Sequence, residues 1–315
     1  MRSLLCSAIV LASLNAISSA QSLLQTFGSG ANQFSMEFVT IGNPNNVADT
    51  TGDPNPAGSV GYIYNIGKYE VSRDMITKAN SVGNLGITMA DMSSRGGNGV
   101  NRPATGITWY EAATYVNWLN TSTGGTAAYK FVGGTFQLWS AGDAGHNVNN
   151  LFRNSNAKFW LPSIDEWYKA AYGNLNGTWN NYATGSDSAP TAVASGTAAN
   201  TAVYKQGVLA GPADITNAGG LSPYGTMGQG GNVWEWIETA RDGSNNIVGE
   251  NREIRGGEWS HDQSLLRASD WGSSPPAGVN LNGFRVVSVP EPSTGLLVVL
   301  GLSGLLLKRR KTGTL

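Results

Sequence analysis

Two long stretches of this chain, Thr121–Asn156 and Asn174–Gly220, are rich in Gly, Ser, Thr and Asn and show almost no periodicity. No internal repeat relates them. With 42 glycines in 315 residues, the chain suits turns, irregular loops and close backbone approaches rather than long helices. Ordered loop of this length inside one domain usually carries function or is held by ions. Short periodic segments lie between. Phe34–Ile41 alternates as a strand, and Val60–Val71 reads as a strand or hairpin through Tyr62, Ile63, Tyr64, Ile66 and Tyr69. Ser72–Ala79 opens with a Ser cap and predicts a helix. Trp109–Leu119 places Trp109, Ala112, Ala113, Val116 and Leu119 at helical spacing, behind Thr108 and Glu111 as a capping box. Ser163–Ala171 repeats the device with Ser163 and Glu166, ahead of a stripe of Ile164, Trp167, Tyr168 and Ala171. Gly230–Trp236 and Ile254–Trp259 are compact Gly-Trp motifs, and Gly283–Val289 reads as a closing strand. The fold class these segments define is α+β, with little regular secondary structure and long loops.

The two ends are of another kind. Met1–Ala20 reads as a signal peptide: Arg2 is the positive start, Leu4 to Leu14 is mostly apolar, and Ser18 and Ala20 are the small residues before a cleavage site. At the other end Pro290-Glu291-Pro292 precedes Thr294–Leu307, apolar apart from Gly and Ser, and then Lys308, Arg309, Arg310 and Lys311. A spanning helix wants about 20 apolar residues, so this short segment needs tilt, thinning or snorkelling lysines to cross a membrane. The basic cluster stays on the cytoplasmic side and leaves the body outside. The order of motif, apolar helix and basic end resembles the PEP-CTERM sorting signal of Gram-negative bacteria. That resemblance implies recognition by exosortase-type machinery, cleavage near the motif, and release or transfer to the envelope or extracellular space. Residues 1–20, 34–288 and 289–315 are therefore expected to be leader, body and sorting tail.

The one cysteine, Cys6, lies in the leader. The exported body has no disulfide, no thiolate and no sulfur metal ligand, so its stability rests on its core. Without the basic and acidic residues of the two ends, 15 basic residues face 20 acidic ones, a net charge of about −5. No basic patch attracts phosphate backbones, which argues against nucleic acid as a partner. Charged residues are only 13% of the chain, and its ten tryptophans exclude a disordered body.

Five blocks, in order, resemble the sulfatase-modifying factor (formylglycine-generating enzyme) family. They are Tyr69-Glu70-Val71-Ser72; Arg102-Pro103 with Trp109–Leu119; Leu161-Pro162-Ser163 with Glu166–Ala171; Gly230-Gly231-Asn232-Val233-Trp234-Glu235-Trp236; and Arg255-Gly256-Gly257-Glu258-Trp259 with Gly283-Phe284-Arg285-Val286. The resemblance implies a formylglycine-generating-enzyme fold, a C-type-lectin-like α+β variant with a substrate groove on one face. It also implies structural calcium. One ion would take the carbonyls of Gly231 and Val233 and the carboxylate of Glu235, and a second would take Asn200 and the Thr201 carbonyl. The family's Asn or Asp ligand just upstream falls on Gly228. Against the first ion stands a pairing of Glu235 with an arginine.

The departure concerns catalysis. The family's enzymes bind copper through two cysteines, and the matching positions hold His261 and Leu266. Leucine is no copper ligand, and one histidine does not replace two thiolates. No copper site and no formylglycine chemistry are expected. Arg255, Glu258, Trp259, His261, Asp262 and Arg285 remain as groove candidates. With only His146 and His261 available, a three-histidine site cannot be built, and a two-histidine-one-carboxylate site needs both on one surface. Three functions stay open: a non-catalytic module that binds peptide or glycan in the groove, with aromatics for stacking; an enzyme of cysteine-independent chemistry; or a structural protein of an exopolysaccharide matrix. About two thirds of the tryptophans are expected in the core.

Overall fold

The computed structural model describes residues 22–290, so the leader, Glu291, Pro292 and the apolar segment of the tail lie outside the described residues. β1 (Ser22–Phe27), a strand the sequence reading does not predict, pairs antiparallel with β2 (Phe34–Ile41), with Ser22 opposite Val39 and Phe27 opposite Phe34. Its side chains are largely exposed, so pairing rather than burial holds it and no sharp alternation announces it. β2 buries Phe34, Met36 and Phe38 in alternation, and past Phe38 it also buries Val39 and Ile41, which point to the opposite face.

Only β3 (Tyr64–Gly67) forms within the stretch from Val60 to Val71. α1 (Arg73–Gly83) follows, with the Ser72 hydroxyl accepting from the Met75 N–H. α2 (Trp109–Ser122) starts at a full capping box in which Thr108 and Glu111 satisfy each other's backbone N–H. Its buried side includes Trp109, Tyr115 and Trp118. A hairpin, β4 (Lys130–Val132) with β5 (Thr135–Gln137), supplies regular structure inside the first polar stretch, and β6 (Phe159–Trp160) ends it. α3 (Ile164–Tyr172) has the second capping box, Ser163 with Glu166. The second polar stretch holds a parallel pair, β7 (Thr191–Ala192) and β8 (Thr201–Ala202). β9 (Glu235–Ala240), β10 (Arg252–Arg255) and β11 (Gly272–Ser274) make a three-stranded antiparallel sheet.

The expected closing strand shrinks to β12 (Val287–Ser288). The residues before it take single backbone bonds instead: the Phe284 carbonyl accepts from Val71 and the Val286 carbonyl from Gly67. β12 sits between β3 and β6 in a five-stranded sheet of order β1-β2-β3-β12-β6. The main core lies between this sheet and α2 and carries aromatic contacts such as Trp109 against Tyr129 and Phe136. Six of the ten tryptophans are buried, close to the expected share.

Candidate functional site

The Gly-Trp motifs meet back to back. Gly231, at φ +91°, donates its N–H to the Gly256 carbonyl at 2.7 Å. A Cβ on Gly231 would lie 2.3 Å from the Val203 carbonyl oxygen, so no other residue fits this crossing. The crossing drives Glu235 fully inside. There its Oε2 accepts from Arg285 Nε at 2.6 Å and from Trp167 Nε1 at 2.7 Å, while Oε1 accepts from Arg285 Nη2 at 2.5 Å. The rest of the Arg285 fork donates to the carbonyls of Gly67 at 2.9 Å and Met227 at 2.9 Å. Beside this pair the buried carboxylate of Glu70 accepts from Asn232 Nδ2 at 2.9 and 3.0 Å. Burial first, and the nearby Glu235 charge second, hold the Glu70 carboxyl well above the usual carboxylate range.

This geometry corrects two sequence expectations. Glu235 does not present a carboxylate to a cation, because both oxygens are already taken by N–H donors and a guanidinium lies against them. The Glu70 carboxylate crowds the place of the missing ligand, since a Cβ at Gly228 would lie 3.0 Å from Glu70 Oε2. Calcium held by Gly231, Val233 and Glu235 therefore does not fit these residues. At the second implied site, Asn200 Oδ1 accepts from the Thr184 hydroxyl and the Thr201 carbonyl from the Gly220 N–H. Among the described residues no group of three His, Cys, Asp or Glu side chains converges as a metal site.

The second correction concerns the groove candidates. Arg285 and Arg255 are fully buried and belong to the interior. Arg255 donates to the Glu253 carboxylate, at 2.6 Å from Nε, and to the carbonyls of Asp270, Ala268 and Asp53. A guanidinium with five donors stays charged, and these bonds offset the cost of its burial. Trp259 is also buried, with Nε1 donating to the Val208 carbonyl at 3.1 Å. Glu258, His261 and Asp262 do reach the surface.

Around His261 the structure assembles a patch. Its ring lies edge-on to the half-buried Trp234, with centroids 5.8 Å apart. Its Nε2 stands 3.6 Å from Glu258 Oε1, which accepts from the Ser260 hydroxyl at 2.7 Å. Thus the carboxylate beside His261 is Glu258 and not the adjacent Asp262. His261 Nδ1 and Asp270 Oδ1 are each buried without a hydrogen-bond partner within the described residues. Leu266, the other position matched to a family cysteine, is 1% exposed and packs with Tyr182, Ala202 and Tyr204. Trp234 and Asp270 were not legible as patch residues: Trp234 shares its motif with the buried Trp236, and Asp270 stands in no motif.

A second charged cluster lies deeper. Arg153 sits over the Trp160 ring at 4.7 Å, with its nitrogens 3.7 Å from Glu166 and 3.5 Å from Glu238. Both glutamates are fully buried. Burial raises the Glu238 carboxyl above its ordinary pKa, against the lowering charge of Arg153.

Interleaved short strands, two capped helices and Gly-Trp crossings locked by a buried Arg–Glu pair define an α+β domain of the formylglycine-generating-enzyme fold. Residues 33–289 match the model for the sulfatase-modifying factor enzyme 1-like domain. The chain belongs to that family. Residues 288–311 match the PEP-CTERM protein-sorting motif, which indicates export and exosortase-type sorting to the cell envelope or surface. No helix among the described residues is long and apolar enough to cross a membrane. The fold is similar to that of Treponema denticola variable protein 1, at 20% identity and a TM-score of 0.59 over 85% of this chain and 99% of that one. It is similar to CarF, at 16% identity and a TM-score of 0.57 over 81% and 99% of the two chains. It is also similar to PvdO from Pseudomonas aeruginosa, at 15% identity and 0.53 over 84% and 98%. At such identities the likeness is one of fold. A search of curated proteins finds no match.

Proposed function

We propose that the domain is a surface-sorted, non-catalytic module that binds a peptide or glycan on the face formed by Trp234, His261 and Glu258. The observation that carries this reading is the half-buried Trp234 with a ring and a carboxylate at its rim. An aromatic face bordered by hydrogen-bonding groups stacks on sugar rings and on peptide side chains alike. The family's copper chemistry has no support in these residues, because position 266 is an apolar core side chain and the sole cysteine stands at position 6. Calcium at Glu235 is no part of this reading. The apolar tail segment, residues 294–307, would tether the protein until the sorting machinery acts on the Pro290-Glu291-Pro292 motif.

A glycan and peptide array probed with the purified protein tests the proposal. Trp234→Ala should weaken binding at least about tenfold, as loss of a central aromatic anchor does, with the fold retained by circular dichroism. Ligands that bind equally well to the variant would sink it. The unpartnered His261 Nδ1 and Asp270 Oδ1 favour one rival, acid–base catalysis on the same face. Turnover abolished by His261→Ala would establish that rival and remove the word non-catalytic.

A further inference from the structure

A pocket of about 330 Å³ opens where the start of α3 and the end of β9 meet three loops, and none of its lining residues belongs to the Trp234 patch. Its walls are fixed by bonds within the protein. Asn150 donates to the buried Glu238 carboxylate at 2.6 Å and accepts from Asn245 Nδ2 at 3.1 Å. Asn245 in turn accepts from the Ala240 N–H at 2.9 Å. The Thr239 hydroxyl oxygen accepts from the Ile164 N–H at 2.9 Å, and that of Ser163 from the Glu166 N–H at 3.3 Å. Asp165 Oδ1 takes the Gly58 N–H at 2.7 Å.

Each of these bonds uses one side of its group. The hydroxyl hydrogens of Ser163 and Thr239, the second amide hydrogen of Asn245 and Asp165 Oδ2 are left for a ligand. Pro54 and Pro56 add apolar side chains to the lining. No lysine or arginine lines the pocket, so nothing neutralises a phosphate or carboxylate, and Asp165 repels either. A metal ion would find one carboxylate already engaged by a backbone amide. Donors and an acceptor side by side, with two proline rings in the same lining, suit a ring that carries neighbouring hydroxyls on one edge and C–H groups on the other. The volume is at the small end for ligand pockets, about 300–1,000 Å³.

We propose that this pocket binds a single uncharged sugar residue, with Asp165 and Asn245 on its hydroxyls and the Pro54 and Pro56 rings against its C–H face. The inference does not depend on the Trp234 face. D-glucose, D-galactose, D-mannose and N-acetyl-D-glucosamine, titrated into the full-length protein by calorimetry and by saturation-transfer NMR, supply the test. At least one should bind with a dissociation constant of about 1 mM or tighter.

Asn149 is exposed at the rim and its side chain makes none of the bonds above. Asn149→Trp should therefore block the mouth and weaken binding at least about tenfold, with the melting curve unchanged. Asp165→Asn keeps the acceptor for Gly58 and should weaken binding without unfolding the loop. Trp234→Ala should leave the affinity unchanged, which separates this site from the aromatic face. Failure of all four sugars, or sugar binding that Trp234→Ala removes and Asn149→Trp spares, would overturn the inference. So would preferential capture of a cationic probe such as spermidine.

Discussion

Glu235 and Glu258 both come from Gly-Trp motifs, yet their surroundings are opposites. Glu235 is fully buried and each oxygen is claimed, by Arg285 and by Trp167. Glu258 reaches the surface, holds one serine hydroxyl and has a histidine just beyond hydrogen-bond distance. An isolated buried carboxylate is tolerated only when its partners are fixed, and fixed partners leave nothing for a ligand. A rim carboxylate with spare lone pairs beside an aromatic ring is cheap to keep in water and free to bind. In this domain the interior charges therefore define the fold, and the surface ones define what it touches.

The largest test of that contrast is Glu235→Ala. It strands the Arg285 guanidinium in the interior and should cost about 3–5 kcal/mol, read from urea unfolding at neutral pH. A loss below about 1 kcal/mol would erase the distinction between the two sites.

The next effect is one of pH. Glu70 has its pKa raised by burial and by the Glu235 charge. The folded state thus holds its proton more tightly than the unfolded chain does, whose value is about 4.3. That contribution is fully present below the unfolded value and is lost as pH rises through the folded one. Stability should fall as the pH is raised above that unfolded value, with a slope of at most about 1.4 kcal/mol per pH unit from this group. Glu70→Gln should flatten the fall, and parallel pH profiles for the two proteins would show that Glu70 is not the titrating group.

The smallest effect belongs to the patch. His261→Ala should change stability by less than about 0.5 kcal/mol, as surface changes do. A larger loss in denaturant titration would make His261 part of the scaffold.

The helices were legible because their ends are written in side chains: Thr108 with Glu111 and Ser163 with Glu166 fix two starts that the structure reproduces. β2 was legible for the same kind of reason, through the alternating burial of Phe34, Met36 and Phe38. β1 was not, since hydrogen bonds to β2 rather than its own side chains hold it. Arg255, Trp259 and Arg285 were misplaced because sequence gives residue type and spacing but not the side of a turn. After Gly256 and Gly257, both at positive φ, Glu258 reaches the surface while Trp259 turns inward, a choice no residue type announces. Asn150, Asp165, Thr239 and Asn245 come from four separate segments that only the fold brings together, so no motif could announce them.

The place of β12 has a consequence for how the protein is made. Its two residues, Val287 and Ser288, are clasped by β3 on one side and β6 on the other, and the sorting motif begins at residue 288. A polypeptide delivered N-terminus first can pair β1, β2 and β3 early, but β6 has no neighbour in the sheet until the last segment of the domain arrives. Completion of the sheet is therefore synchronised with emergence of the tail. A chain truncated anywhere before Val287 would leave an open seam between two early segments, while a chain that has closed the seam already carries the first residue of its sorting motif, because Ser288 belongs to both.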